Sequence, residues 1–341
     1  METVMEIFRT PEERFDNLED YPFRANYHEF EGVRMHYLDE GPRDGPVILM
    51  AHGMPTWSYL YRRMIPPLIR AGYRCVAPDL IGFGKSDKVL DDAWYSIERH
   101  CLSLRSLIEA LDLRRITIIA QDWGGPIGLY QPAHMSERFE RLCILNTWLE
   151  NPAFKFSLFA RIWNAVWHPV DTTGGRRIED PNLLRRAFVK IARRVMIRWG
   201  LKGEEQPCGA IAALVMMSDY PEAKPELEAK LYAAYEAPFP DIASKAGARR
   251  FPLSLPFWNP VDGDAEGQRR NWETLLGWTK PVHFIWGLKD PNFNEKWLDT
   301  WAAHYSQASI DRIADGGHFL QETHGPQVAQ LMLERISQEA G

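Results

Sequence analysis

A β-branched run, Ile116-Thr117-Ile118-Ile119, leads through Ala120 into Gln121-Asp122-Trp123-Gly124-Gly125 and then into a further apolar stretch. Such a run favours a strand, and two glycines directly after an acidic residue favour a sharp turn into a helix. The chain is thereby required to hold a carboxylate where a strand turns into a helix. Taken alone, an Asp before Trp and two Gly also fits an ordinary helix N-cap, so its meaning depends on the rest of the chain.

The flanking pattern is a strand and helix alternation. Tyr27 to Tyr37 reads as a strand with polar alternation, and Pro46 to Ala51 as a short apolar strand ending at His52-Gly53. Tyr59 to Ala71 reads as a helix, Tyr73 to Ala77 as a strand, Ser96 to Leu111 as a helix and Ile116 to Ala120 as a strand. Gly125 to Ala133 continues as a helix disturbed by Pro132, and Leu142 to Leu145 is the next buried strand. That rhythm implies a parallel sheet with helices on both faces. From Trp148 to Pro238 the chain is rich in Trp, Phe, Met and Arg and reads as short helices separated by Gly and Pro breaks. The sheet resumes at Pro281 to Gly287, followed by a helix from Asn294 to Ala303, a strand at Ser309 to Ile313 and a final helix from Gly325 to Gln338. The expected organisation is a core of residues 1–147 and 239–341 carrying a helical cap of residues 148–238.

Composition excludes several function classes. A formal charge of -6 with scattered Lys and Arg supplies no basic face for nucleic acid and no polybasic membrane anchor. Cys75, Cys101, Cys143 and Cys208 lie far apart without a metal-ligand pattern, so no metal site is expected and the thiols read as buried in a reducing cytoplasm. Met1 to Asp20 lacks the apolar core of a signal peptide, and no window reaches the length of a membrane span. The expected protein is a cytoplasmic one, acting without cofactor on a small neutral ligand.

The strand-to-helix carboxylate is the nucleophile elbow of an α/β-hydrolase, with aspartate in the place of serine. In that fold the partners follow in the order nucleophile, acid, histidine. Asp290, directly after the strand ending at Gly287, and His318, in the loop Asp315-Gly316-Gly317-His318-Phe319, supply that order. Each alone is an ordinary loop residue; together they complete a catalytic triad. Ionised Asp122 attacks carbon and forms an ester, His318 serves as general base for the water that cleaves it, and Asp290 holds the imidazole tautomer. The oxyanion of the second step needs two amide donors, assigned to the backbone N–H groups of Met54 and Trp123. His52 is read as bracing the loop.

His52-Gly53-Met54-Pro55-Thr56-Trp57-Ser58-Tyr59-Leu60-Tyr61-Arg62, the Gln-Asp-Trp-Gly-Gly elbow and Gly316-Gly317-His318-Phe319-Leu320-Gln321-Glu322 resemble the haloalkane dehalogenases, from about Tyr27 to Ile336. The resemblance implies an α/β-hydrolase fold, with a mostly parallel eight-stranded sheet flanked by helices and a helical cap inserted after strand 6. It implies hydrolysis of haloalkanes to primary alcohol, halide and proton, and a leaving halide held by the Trp123 indole N–H. In that family the second halide donor is an Asn of the first motif or a cap tryptophan. Met54 removes the first option, so the resemblance points to Trp163 by its spacing from Asn146-Thr147, with Trp167 as the fallback. Asn146 stands where another branch carries Glu, leaving Asp290 as the acid. Ala120 replaces the first glycine of the usual elbow.

Trp148, Phe154, Phe156 and Phe159 are expected to line an apolar pocket, and Tyr220, Tyr232 and Tyr235 to lie on surface helices. An epoxide hydrolase or β-lactone-processing enzyme using the same Asp is the second reading. A fluoroacetate-type enzyme lacks support, since Trp123-Gly124-Gly125-Pro126 offers no paired Arg to clamp a carboxylate. A non-catalytic receptor for a small molecule is the reading from a different class. The expected assembly is a monomer or small homo-oligomer, whose partners are a small apolar halogenated substrate and halide.

Overall fold

The computed structural model describes residues 5–154, 156, 158, 225–241, 243–256 and 262–339. Eight strands form one sheet: β1 (Asn26–Phe30), β2 (Val33–Glu40), β3 (Val47–Ala51), β4 (Arg74–Pro78), β5 (Ile116–Asp122), β6 (Phe139–Thr147), β7 (Val282–Gly287) and β8 (Ser309–Ile313). Their spatial order is β1-β2-β4-β3-β5-β6-β7-β8. β1, β2 and β4 are joined antiparallel, and every pair from β4 through β3 to β8 is parallel. Every residue of β3, β4, β5 and β7 is buried, the mark of strands covered on both faces. This is the α/β-hydrolase fold.

The run from Tyr27 to Tyr37 is two strands and not one. Glu31 and Gly32 both take positive φ, 49° and 76°, so the chain reverses there into a tight hairpin. Tyr59 to Ala71 is likewise interrupted: a 3-10 turn, Ser58–Tyr61, precedes α1 (Ile65–Arg70). Pro66 and Pro67 have no N–H to bond back to residues 62 and 63, so the helix can start only at their own first turn. α2 (Ile97–Ala110) is capped by the Ser96 hydroxyl, which accepts from Arg99 N–H at 3.1 Å, and buries Ile97, Cys101, Leu104 and Ile108 along one stripe.

After the elbow the expected helix divides into α3 (Gly124–Gly128) and α4 (Tyr130–His134), whose ladder passes over Pro132. α5 (Pro225–Glu236), α6 (Ala246–Leu253) and α7 (Ala265–Leu276) precede β7; the last two fall where the sequence suggested no element. α8 (Glu295–Ala302) matches the helix expected from Asn294 to Ala303, with Asn294 as its N-cap. α9 (Leu320–Glu339) begins five residues earlier than its Gly325-Pro326 pair suggests, bending at His324. Phe159, Trp163, Trp167, Cys208 and Tyr220 lie outside the described residues.

Candidate active site

Asp122 is the last residue of β5, with φ at +52°. A left-handed conformation in a non-glycine residue is destabilising by about 1–2 kcal/mol, so the surroundings must hold it there. They do so through close packing that only glycine allows. A Cβ on Gly124 would come 2.0 Å from the Ala51 carbonyl oxygen, and one on Gly53 would come 2.2 Å from Asp122 Oδ1. The β3 loop can therefore lie directly against the elbow. Met54 N–H donates to Asp122 Oδ1 at 2.9 Å, while the Thr147 hydroxyl donates to the Asp122 carbonyl. Trp123 is the N-cap of α3, so its amide opens the helix and stands outside the helical ladder.

The loop bearing Met54 is braced as expected. His52 is fully buried; its Nε2 accepts from Leu80 N–H at 2.9 Å and its Nδ1 donates to Gly53 O at 2.8 Å. Burial lowers its pKa, which fits a neutral ring with one accepting and one donating nitrogen. Beside it, fully buried Asp79 accepts from His36 Nδ1 and from the amides of Ser58 and Lys85. Burial works against that carboxylate, but His36 and these donors outweigh it and lower its pKa.

The three sequence-predicted triad residues converge at the C-terminal ends of the strands. His318 Nδ1 donates to Asp290 Oδ2 at 2.7 Å, and its Nε2 stands 3.5 Å from Asp122 Oδ2. Asp290 Oδ1 accepts from the amides of Asn292 and Phe293 at 2.7 and 2.9 Å. The imidazole lies against Phe293 and meets Phe319 edge-on. Burial opposes a charge on His318, yet the Asp290 and Asp122 carboxylates outweigh it and raise its pKa well above the ordinary value.

Two polar residues of this site escaped the sequence reading in their roles. Asn146, at the end of β6, donates from Nδ2 to Asp290 Oδ2 and Gly287 O, each at 3.0 Å, and accepts from Gly287 N–H at 2.8 Å. It orients the acid, where the sequence suggested only the absence of a rival carboxylate. Gln121, directly before Asp122, donates from Nε2 to His318 O at 3.0 Å. Its position in the elbow motif was the only available signal.

Trp123 is buried edge-on against Trp148, with ring centroids 4.7 Å apart, and beside Phe251. Trp148 stacks on Phe293, which in turn lies against His318. Of the residues expected to line a pocket, Phe154 packs among Trp272, Trp297 and Trp301, and Phe156 meets Trp148 and Trp297. These form an aromatic layer from the first turn after β6 to α8. Tyr235 corrects the surface-helix expectation: it is fully buried, and its hydroxyl donates to Glu322 Oε2 at 2.6 Å. Tyr232 is half-buried.

Residues 46–169 match the family described as the alpha/beta hydrolase fold. The haloalkane dehalogenase of Mycolicibacterium paratuberculosis is 38% identical over 336 residues, covering 96% of this chain and 98% of the relative. That of Psychrobacter cryohalolentis is 36% identical over 339 residues, covering 97% and 98%. A tetrameric haloalkane dehalogenase from Paraglaciecola agarilytica superposes with a TM-score of 0.77 at 34% identity, covering 96% of this chain and 97% of that one.

Proposed function

The chain belongs to the haloalkane dehalogenases, hydrolases that act on carbon–halide bonds, and we propose that Asp122, His318 and Asp290 carry the reaction in two steps. In the first, Asp122 Oδ2 attacks the halogen-bearing carbon. The C–O bond forms as the C–halogen bond breaks, and halide leaves with the bonding pair. Oδ1, held by Met54 N–H, becomes the carbonyl oxygen of the ester.

In the second step His318 Nε2 takes a proton from water, and the hydroxide adds to the Asp122 carboxyl carbon. The negative charge gathers on Oδ1, where Met54 N–H already points and where the Trp123 amide is proposed as second donor. Collapse returns the carboxyl group and expels the alkoxide, which takes the proton from His318. The other hydrogen of water is lost as Asp122 ionises again. The balance is haloalkane plus water giving alcohol, halide and a proton. Asp290, oriented by Asn146, keeps the His318 tautomer and stabilises the imidazolium.

The observation that carries this reading is the Asp122 carboxylate itself, with one oxygen on a backbone amide and the other facing a histidine paired to a buried acid. We further propose the cap-tryptophan arrangement for the halide, with Trp123 and Trp163 indole N–H groups as donors. The Met54 thioether has no N–H to offer, and indoles in an apolar site stabilise a diffuse anion without a full positive charge that would retain it. A core of residues 1–147 and 239–341 with a cap of 148–238 accompanies that proposal, as does a monomer or small homo-oligomer. No helix among the described residues is long and apolar enough to cross a membrane. The epoxide reading would need a tyrosine hydroxyl free to protonate the opening ring, and the Tyr235 hydroxyl is engaged by Glu322.

The test is halide release and acidification with 1,2-dibromoethane and 1-bromobutane, wild type against Asp122→Ala. Release that depends on Asp122 supports the assignment. No release from folded wild-type protein would move the assignment to epoxides and β-lactones, and release by Asp122→Ala would remove Asp122 as nucleophile.

A further inference from the structure

Resting on the roles proposed above for Asp122, His318 and Asp290, we propose that Gln121 is a positioning residue for the general base. Its side-chain N–H group faces the lone pair of His318 Nε2 and disfavours protonation of that nitrogen ahead of the hydrolytic water.

The geometry fixes the direction of the contact. Gln121 is fully buried, and its Nε2 lies 3.0 Å from His318 O and 3.4 Å from His318 Nε2. A backbone carbonyl can only accept, so the NH2 end of the amide, and not its oxygen, is turned toward the His318 loop. His318 Nδ1 sits 2.7 Å from Asp290 Oδ2, which places the ring hydrogen on Nδ1. In the neutral ring Nε2 is then an acceptor, and the group facing it is a donor. At 3.4 Å the contact is a long one that acts through the field of the N–H dipole.

The other end of the side chain shows that Gln121 is not there for its own satisfaction. Its Oε1 is buried and meets no donor among the described residues. A buried acceptor without a partner is destabilising, and an apolar residue of similar shape would avoid it. What the amide contributes is therefore the NH2 end, on the base.

Around the imidazole the facing ionisable groups among the described residues are Asp290 at Nδ1 and Asp122 at Nε2, with Phe293 and Phe319 packed on the ring. Before alkylation the Asp122 carboxylate favours a protonated Nε2, which the Gln121 N–H opposes. Once Asp122 is an ester its charge is gone, and the Gln121 donor acts against protonation of Nε2 without that carboxylate opposing it. The residue therefore acts in the hydrolytic half of the cycle.

The experiment separates the two halves. Alkylation and ester hydrolysis are timed individually by rapid quench with 1,2-dibromoethane, for wild type and Gln121→Met, across the acid limb of the hydrolytic step. The expected result is alkylation at its wild-type rate and an acid limb moved upward by about half to one pH unit. Below that limb hydrolysis is then roughly three- to tenfold slower. An unmoved limb, or equal slowing of both steps at every pH, would overturn the role of Gln121 while leaving the two-step reading intact. A wild-type enzyme that never accumulates an alkyl ester, even with His318 replaced, would overturn that reading and this role with it. Gln121→Asn, which withdraws the donor by one methylene, carries the same test if Gln121→Met does not fold.

Discussion

Replacing Glu322 by Gln removes one charge from a pair closed to water. Arg62 donates to both Glu322 carboxylate oxygens at 2.6 Å, the Tyr235 hydroxyl adds a third bond at 2.6 Å, and neither charged side chain is more than 1% exposed. The guanidinium also lies 3.8 Å over the Tyr59 ring. Burial opposes the charge on Arg62, and Glu322 more than offsets it, raising the Arg62 pKa. An ion left buried without its partner is destabilising by about 3–5 kcal/mol. Glu322→Gln keeps the shape but turns an amide NH2 toward existing donors, so a loss near that range is expected, a fall in Tm of roughly 4–7 °C. Arg62→Met removes the nearer cation and leaves the buried carboxylate the Tyr235 hydroxyl and Arg63 at 3.7 Å, and should lose a similar amount or somewhat less. The double variant Arg62→Met/Glu322→Gln leaves neither charge of the pair behind, and should be less destabilised than the sum of the singles by about 2 kcal/mol or more. Thermal and urea unfolding of the four proteins, followed by circular dichroism and tryptophan fluorescence, measures the cycle. Single losses under about 1 kcal/mol that add within about 0.5 kcal/mol would refute the view that this pair ties the loop after His52-Gly53 to α9.

Gly53→Ala places a Cβ 2.2 Å from Asp122 Oδ1 and 2.4 Å from Asp122 Cβ, so the nucleophile must move; kcat/KM for 1-bromobutane should fall about a hundredfold, with a loss of about 1–3 kcal/mol in urea-unfolding stability. Asn146→Ala frees Asp290 Oδ2 from its amide donor, and rapid-quench timing should find ester hydrolysis slowed about tenfold with alkylation less affected. His100 stacks between Tyr95 and Phe251, and burial, with smaller contributions from His52 and Arg99, lowers its pKa to about 3. The unfolded chain, with an ordinary histidine value of 6.5, takes up its proton first. The contribution of His100 to stability is thus complete above pH 6.5 and is lost as pH falls from there toward 3. His100→Phe should flatten that acid limb of urea-unfolding stability.

The elbow and its partners were legible because each rests on local chemistry: β-branched residues, then Asp and two glycines, and later an Asp and a His directly after strands in a fixed chain order. Helix ends were legible where a cap was present, as at Ser96 and Asn294. The hairpin at Glu31-Gly32 was not, because two short alternating strands read as one when the turn keeps the alternation. Nor was the start of α9, where Gly325-Pro326 imitates a helix start although the chain bends through it at His324. Asn146 and Tyr235 were hidden for a different reason. Their partners, Asp290 and Glu322, lie 144 and 87 residues away, and a polar side chain gives no sign of which distant carboxylate will bury it.

The ester on Asp122 is tested by the intact mass of His318→Phe after exposure to 1-bromobutane, with peptide mapping and halide counted in parallel. With the base removed and the nucleophile retained, the protein should gain one butyl group on Asp122 and release one equivalent of bromide without turnover. An unmodified chain with no bromide released, or a butyl group on any other residue, would contradict the two-step mechanism through Asp122.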